Sequence, residues 1–251
     1  MRNIHIFILT LLISVLGYTQ EKDTTEVLFV GNSFTYFWNM PQMVEAMAKN
    51  QGVTLYTDQS TVGGSNLKQH WKSEKGTTTM DRLEDKNWDY VFLQDHSMST
   101  IEAKSRWEEY NKKFVELIKD QGAFPILFSS WAYKSNPLMQ TKITNSYKDL
   151  ADQLGVKLVP MGSVLALARE KRPDLELFFD DKHFSPVGSY LEALVFYKFL
   201  TGKSVMSIPD RLTTLDAEGR KMYLIFILPT NGDFLRPLVE EFPMETLNEV
   251  E

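Results

Sequence analysis

Two hydrophobic patterns alternate along this chain. Short, mainly apolar runs rich in Val, Phe and Ile occupy residues 27–30, 53–57, 89–93, 124–128 and 156–159. Runs of that length, bounded by turn residues, read as strands buried on both faces. Between them the apolar residues recur every third or fourth position. Met43, Val44, Met47 and Ala48 make one such stripe over 41–50, and Trp107, Tyr110, Phe114, Leu117 and Ile118 make another over 103–120. This spacing predicts helices packed on a sheet. Further helices are expected over 66–72, 141–154 and 163–171, and one more opens at Ser185-Pro186, with Ser as N-cap and Pro in the first turn. Asn39 stands where an N-cap for 41–50 is expected, and Gly52, Gly122, Gly155 and Gly202 stand at helix ends. Five strands alternating with helices predict an α/β protein, its mostly parallel sheet covered on both faces and joined by right-handed crossovers. Residues 222–228 are strongly apolar and fit either a strand or the continuation of a helix from Leu215. Residues 229–232 read as a turn. The whole segment 203–251 reads as peripheral, with no chemistry visible in it.

Composition narrows the picture. The chain has 251 residues, 43% of them hydrophobic and 24% charged, enough for one sizeable core, so residues 21–251 are expected to form a single domain. A formal net charge of −6, without a basic stripe, argues against nucleic acid as a partner. The first 20 residues have a basic start, a short apolar run over 6–16 and a plausible cleavage zone at Thr19-Gln20, the layout of a signal peptide. A periplasmic or secreted bacterial protein is therefore expected, with no stable membrane insertion once that segment is removed. There is no Cys, which excludes disulfides, thiolate metal sites and a Cys nucleophile.

The candidate chemistry begins at Gly31-Asn32-Ser33-Phe34-Thr35, immediately after the first apolar run. A serine there lies just past the carboxyl end of a strand, the edge at which open α/β sheets bind ligands. A serine nucleophile needs a base, and the base needs an orienting group. Asp180 and His183 stand three residues apart just before the Ser185-Pro186 helix start, close enough for the carboxylate to reach the imidazole within one loop. The turn is not the nucleophile elbow of the α/β-hydrolases, because Thr35 occupies the place of that motif's second small residue.

Gly31-Asn32-Ser33-Phe34-Thr35 resembles the first sequence block of the SGNH hydrolases, also called GDSL-like lipases and esterases. Val62-Gly63-Gly64-Ser65 resembles their second block and Asp180-Asp181-Lys182-His183 their last. The resemblance runs from residue 27 to about 202. It implies a flavodoxin-like three-layer α/β/α sandwich and hydrolysis of esters, with Ser33 as nucleophile, His183 as base and Asp180 as its orienter. It further implies an oxyanion hole formed by the backbone N–H groups of Ser33 and Gly64 and one side-chain amide. The family usually supplies that amide from an Asn after the third strand. Here Leu93-Gln94-Asp95-His96-Ser97 stands instead, and Gln94 is the expected substitute because its NH2 can donate.

The remaining expectations concern substrate. Asn32, His96, Trp131 and Tyr133 are candidate substrate contacts at strand ends, and Phe34, Tyr36, Phe37 and Trp38 crowd the nucleophile. His70 is expected at the surface. No His, Asp and Glu cluster has metal-ligand spacing, so no metal or other cofactor is implied. The reading that results is a serine esterase acting on a small-molecule or glycan ester, acetyl esters above all. The same residues would serve an O-acyltransferase, and a non-catalytic carbohydrate-binding protein could keep this fold. Oligomeric state is not fixed by any of these features.

Overall fold

The computed structural model describes residues 24–247. The predicted signal segment lies outside the described residues. Five strands, β1 (Thr25–Gly31), β2 (Leu55–Thr61), β3 (Tyr90–Leu93), β4 (Phe124–Phe128) and β5 (Lys157–Val159), form one sheet in the order β2-β1-β3-β4-β5. Every pairing in it is parallel. Ten α-helices accompany the strands among the described residues: α1 (Ser33–Tyr36), α2 (Met40–Asn50), α3 (Leu67–Trp71), α4 (Thr79–Asp85), α5 (Ser99–Glu102), α6 (Lys104–Asp120), α7 (Gln140–Leu154), α8 (Met161–Lys171), α9 (Pro186–Thr201) and α10 (Pro229–Glu241). The expected strands and major helices are present. The pattern missed α1, α4 and α5, which are short and carry too few apolar positions to show a period, and also α10.

Alternation along the strands divides the core into two layers. Val27 and Phe29 of β1 face α2, α8 and α9, whereas Leu28 and Val30 face α3, α6 and α7. On the first side α9 is apolar around its whole circumference and nearly all buried, because the sheet takes one face and α2 and α10 cover the rest. Its Phe196 ring lies 5.3, 5.1 and 4.7 Å from those of Phe29, Phe92 and Phe128, locking the helix to the middle of the sheet. The chain leaves β1 toward one face and β3 toward the other. The crevice beyond these two neighbouring strands is thus the switch point of the sheet.

Of the two forms open to residues 222–228, the strand is the one present: β6 (Arg211–Leu215) and β7 (Lys221–Phe226) form an antiparallel hairpin. Residues 229–232 are not a free turn but the start of α10, whose Leu235 and Val239 are fully buried against the core. Asn39, expected to cap α2, makes no capping bond; it has a left-handed backbone with φ 58°.

Candidate active site

The end of β1 places Ser33 at the first residue of α1, with Asn32 as the N-cap accepting the Phe34 N–H at 3.0 Å. From the opposite side of the crevice, the loop before α9 brings His183 to it. Ser33 Oγ lies 2.9 Å from His183 Nε2, and His183 Nδ1 lies 2.7 Å from Asp180 Oδ2. A carboxylate can only accept, so Nδ1 carries the ring proton and Nε2 is left to accept from the serine hydroxyl. Asp180 Oδ1 also accepts the backbone N–H groups of Lys182 and His183, at 2.8 and 2.7 Å. Partial burial raises the Asp180 pKa, but these hydrogen bonds from His183 and the backbone outweigh it and bring it down to about 2. The carboxylate therefore stays ionised while it holds the imidazole.

The imidazole is packed as well as hydrogen-bonded. Phe37 stacks on it at 4.4 Å with an 8° interplanar angle, and Phe34 meets it edge-on at 5.9 Å. Gly64, in the loop after β2, has φ 64°, a conformation that a residue with a Cβ adopts only under strain. Among the described residues no acceptor takes the backbone N–H of Ser33 or of Gly64.

Four sequence expectations are corrected by this geometry. Gln94 does not present its amide to the crevice. It is fully buried, its Oε1 accepts the Asn32 N–H at 2.9 Å and the Thr35 hydroxyl at 3.3 Å, and its Nε2 donates to the carbonyl of Asp95. It holds the nucleophile turn from beneath. Asn32 is likewise no substrate contact: besides capping α1, its Nδ2 donates to the carbonyls of Ser65 and Asp95 at 2.9 and 3.4 Å, joining three loops at the sheet edge. Trp131 is wholly buried, stacked between Phe34 at 4.2 Å and Phe184 at 4.0 Å, and its indole N–H donates to the Lys182 carbonyl at 2.9 Å. It supports the His183 loop and has no surface to offer a ligand.

The fourth correction is His70, which is buried, not exposed. Its Nε2 lies 2.9 Å from the Gly31 carbonyl and 2.8 Å from Ser65 Oγ, and its Nδ1 lies 2.6 Å from Thr79 Oγ1. The carbonyl fixes the proton on Nε2, so Nδ1 accepts from Thr79, whose oxygen in turn sits 2.8 Å from Ser60 Oγ. This chain braces the residue before Asn32 and the residue after Gly64 together. Burial pulls the His70 pKa down to about 4, against a smaller opposing effect of the Gly31 hydrogen bond. Below its ordinary pKa the unfolded chain takes up a proton that the folded protein refuses, so stability falls as the pH drops from about 6.5 to about 4. The loss from this one residue amounts to about 3 kcal/mol. Urea titrations at pH 7 and pH 4.5 check it: His70→Gln should start less stable at pH 7 and lose less than the parent between the two. Equal losses would show that His70 is not held neutral.

His96 and Tyr133 do lie at the crevice side of β3 and β4. Both are half-buried, Tyr133 OH meets Ser97 Oγ at 2.9 Å, and the Lys182 ammonium lies 5.9 Å from the Tyr133 ring centre. A separate cavity of ≈ 370 Å³ lies among α8, residues 132–140 and residues 173–178; Ser33, Asp180 and His183 do not line it. Among the described residues no group of three metal-ligating side chains converges, and no helix is long and apolar enough to cross a membrane.

Comparison with known proteins agrees with this geometry at the level of fold. No protein-family model matches the sequence, and no curated protein sequence matches it. Solved structures do. A DUF4886 family protein from Bacteroides uniformis is 21% identical, with a TM-score of 0.69, over 91% of this chain and 100% of that one. The acetyl xylan esterase AlAXEase is 16% identical, with a TM-score of 0.56, over 68% of this chain and 98% of that one. A member of the lipolytic G-D-S-L family from Veillonella parvula is 14% identical, with a TM-score of 0.55, over 70% of this chain and 98% of that one. The chain has the three-layer α/β/α fold of the SGNH hydrolases.

Proposed function

We propose that this SGNH-type chain is a serine ester hydrolase, exported by its first 20 residues, that removes small acyl groups, acetyl above all, from carbohydrate. The observation that carries the reading is the hydrogen-bonded series from Ser33 Oγ through His183 to Asp180, at 2.9 and 2.7 Å. In the first step His183 Nε2 takes the Ser33 proton as Oγ attacks the acyl carbon. The proton then passes to the departing alcohol, leaving an acyl-Ser33 ester. Water, deprotonated by the same imidazole, hydrolyses that ester. Asp180 stabilises the imidazolium formed in each half-reaction without itself taking a proton. The negative charge on the acyl oxygen has two candidate donors, the backbone N–H groups of Ser33 and Gly64. Losing one such donor typically costs about 10²–10³ in rate. With Gln94 turned inward, the hole consists of main-chain groups at these two places.

Acetyl and carbohydrate specificity are supported by the AlAXEase neighbour and by the aromatic residues around His183. The test is covalent. A fluorophosphonate probe should label the folded protein at Ser33 and nowhere else, and a screen of acetylated glycans should find turnover. A protein that only binds carbohydrate would take no label. An acyltransferase would label but divert the acyl group to an added alcohol in preference to water.

A further inference from the structure

We propose that Trp38 and Phe179 form a platform for the alcohol half of the ester, and that a pyranose ring is what lies on it. This rests on the roles given above to Ser33 and His183. The leaving oxygen must come within hydrogen-bond reach of His183 Nε2 to receive its proton, so the alcohol has to pass beside the imidazole. What surrounds the imidazole there is aromatic. Phe37 covers one face of it; Phe179 lies 6.5 Å from Phe37, and Trp38 lies 6.4 Å from Phe179 at 74°, so that the last two rings make an open corner. Phe179 is tied to the same loop as the base, its N–H donating to the His183 carbonyl at 2.7 Å.

Three features say that this corner is kept open for a ligand. The rings are exposed, Trp38 by 40% and Phe179 by 67%, whereas Trp131 nearby is wholly buried. Trp38 and Asn39 are consecutive left-handed residues, φ 53° and 58°, a strained backbone that bulky side chains avoid and that concentrates at functional sites. The Trp38 indole N–H is already bonded to the Phe184 carbonyl at 2.9 Å, so the ring is pinned and its exposed surface is carbon. A pyranose matches this: it has a flat C–H face for aromatic carbon and hydroxyls at its rim. Asn39, exposed beside Trp38 with no capping bond, can meet those hydroxyls.

The experiment compares kcat/KM for mono-O-acetylated methyl glucopyranoside with that for ethyl acetate, in the parent, Phe179→Ala and Phe179→Trp. The sugar-to-ethyl ratio should fall about tenfold in Phe179→Ala, mainly through KM, and recover in Phe179→Trp. Saturation-transfer NMR of methyl glucopyranoside on Ser33→Ala protein should show the sugar's C–H protons contacting the protein, and the double variant with Phe179→Ala should lose that signal. An unchanged ratio with unchanged NMR contact would overturn the proposal. So would a ratio that shifts with acyl length instead of with alcohol, which would make the corner an acyl site. Phosphatidylcholine vesicle binding that disappears with Phe179→Ala would make it a lipid contact. If Ser33 takes no fluorophosphonate label but the sugar still contacts Phe179, the hydrolase reading fails and the platform stands.

Discussion

Ser33→Ala should abolish ester hydrolysis, lowering kcat by about 10⁴-fold or more, with the melting temperature nearly unchanged. The size follows from the route: without Oγ no acyl intermediate forms, and the precisely held His183 and Asp180 have no proton to move. The fold should tolerate the change because Ser33 is only partly buried and, among the described residues, its hydroxyl bonds to His183 Nε2 alone. Hydrolysis of 4-nitrophenyl acetate, followed with circular dichroism on the same samples, checks both halves. Residual activity within tenfold of the parent would remove Ser33 from the reaction.

Gln94→Ala should act on stability first. The substitution leaves the Asn32 N–H and the Thr35 hydroxyl without their acceptor in a buried place and opens a void beneath the nucleophile turn. Together these cost about 3–5 kcal/mol, which in a domain of this size lowers the melting temperature by roughly 10 °C. Activity should fall too, because the turn that aims Ser33 loses its support. An oxyanion donor would behave oppositely, with an unchanged melting temperature and a lower kcat. Thermal melts with kinetics at 15 °C separate the two, and a stable but slow variant would return Gln94 to the hole.

That residue also marks the boundary of what the sequence could say. Strand and helix periods were legible because burial imposes them on each element separately. Asp180 and His183 were legible because both partners sit in one short loop. The direction of the Gln94 side chain is a long-range property. It turns under the nucleophile because Gly31 has no side chain: a Cβ there would come within 2.6 Å of Gln94 Oε1 and 2.4 Å of Thr35 Oγ1. His70 was misplaced for the same reason, since its partners Gly31 and Thr79 are 39 and 9 residues away. Trp131 looked like a pocket residue because its neighbours in the stack, Phe34 and Phe184, come from opposite ends of the chain. Residues 222–228 gave no polar–apolar period because the exposed positions Met222, Tyr223, Phe226 and Leu228 are as apolar as the buried Ile225 and Ile227 with which they alternate.

The loop that carries the base is closed on itself. Phe178 pairs with Phe184 as an isolated antiparallel bridge, the Phe179 N–H donates to the His183 carbonyl at 2.7 Å, and the Ser185 N–H donates to the Leu177 carbonyl at 3.0 Å. Inside that clasp Asp180 binds both the ring and the backbone of His183. Base and carboxylate thus move as one body, which the Phe37 ring stacked on His183, the Phe34–Trp131–Phe184 stack and the Trp38 indole N–H on the Phe184 carbonyl tie to the helix that carries Ser33, so the distance from base to nucleophile is set by packing on both sides of the crevice.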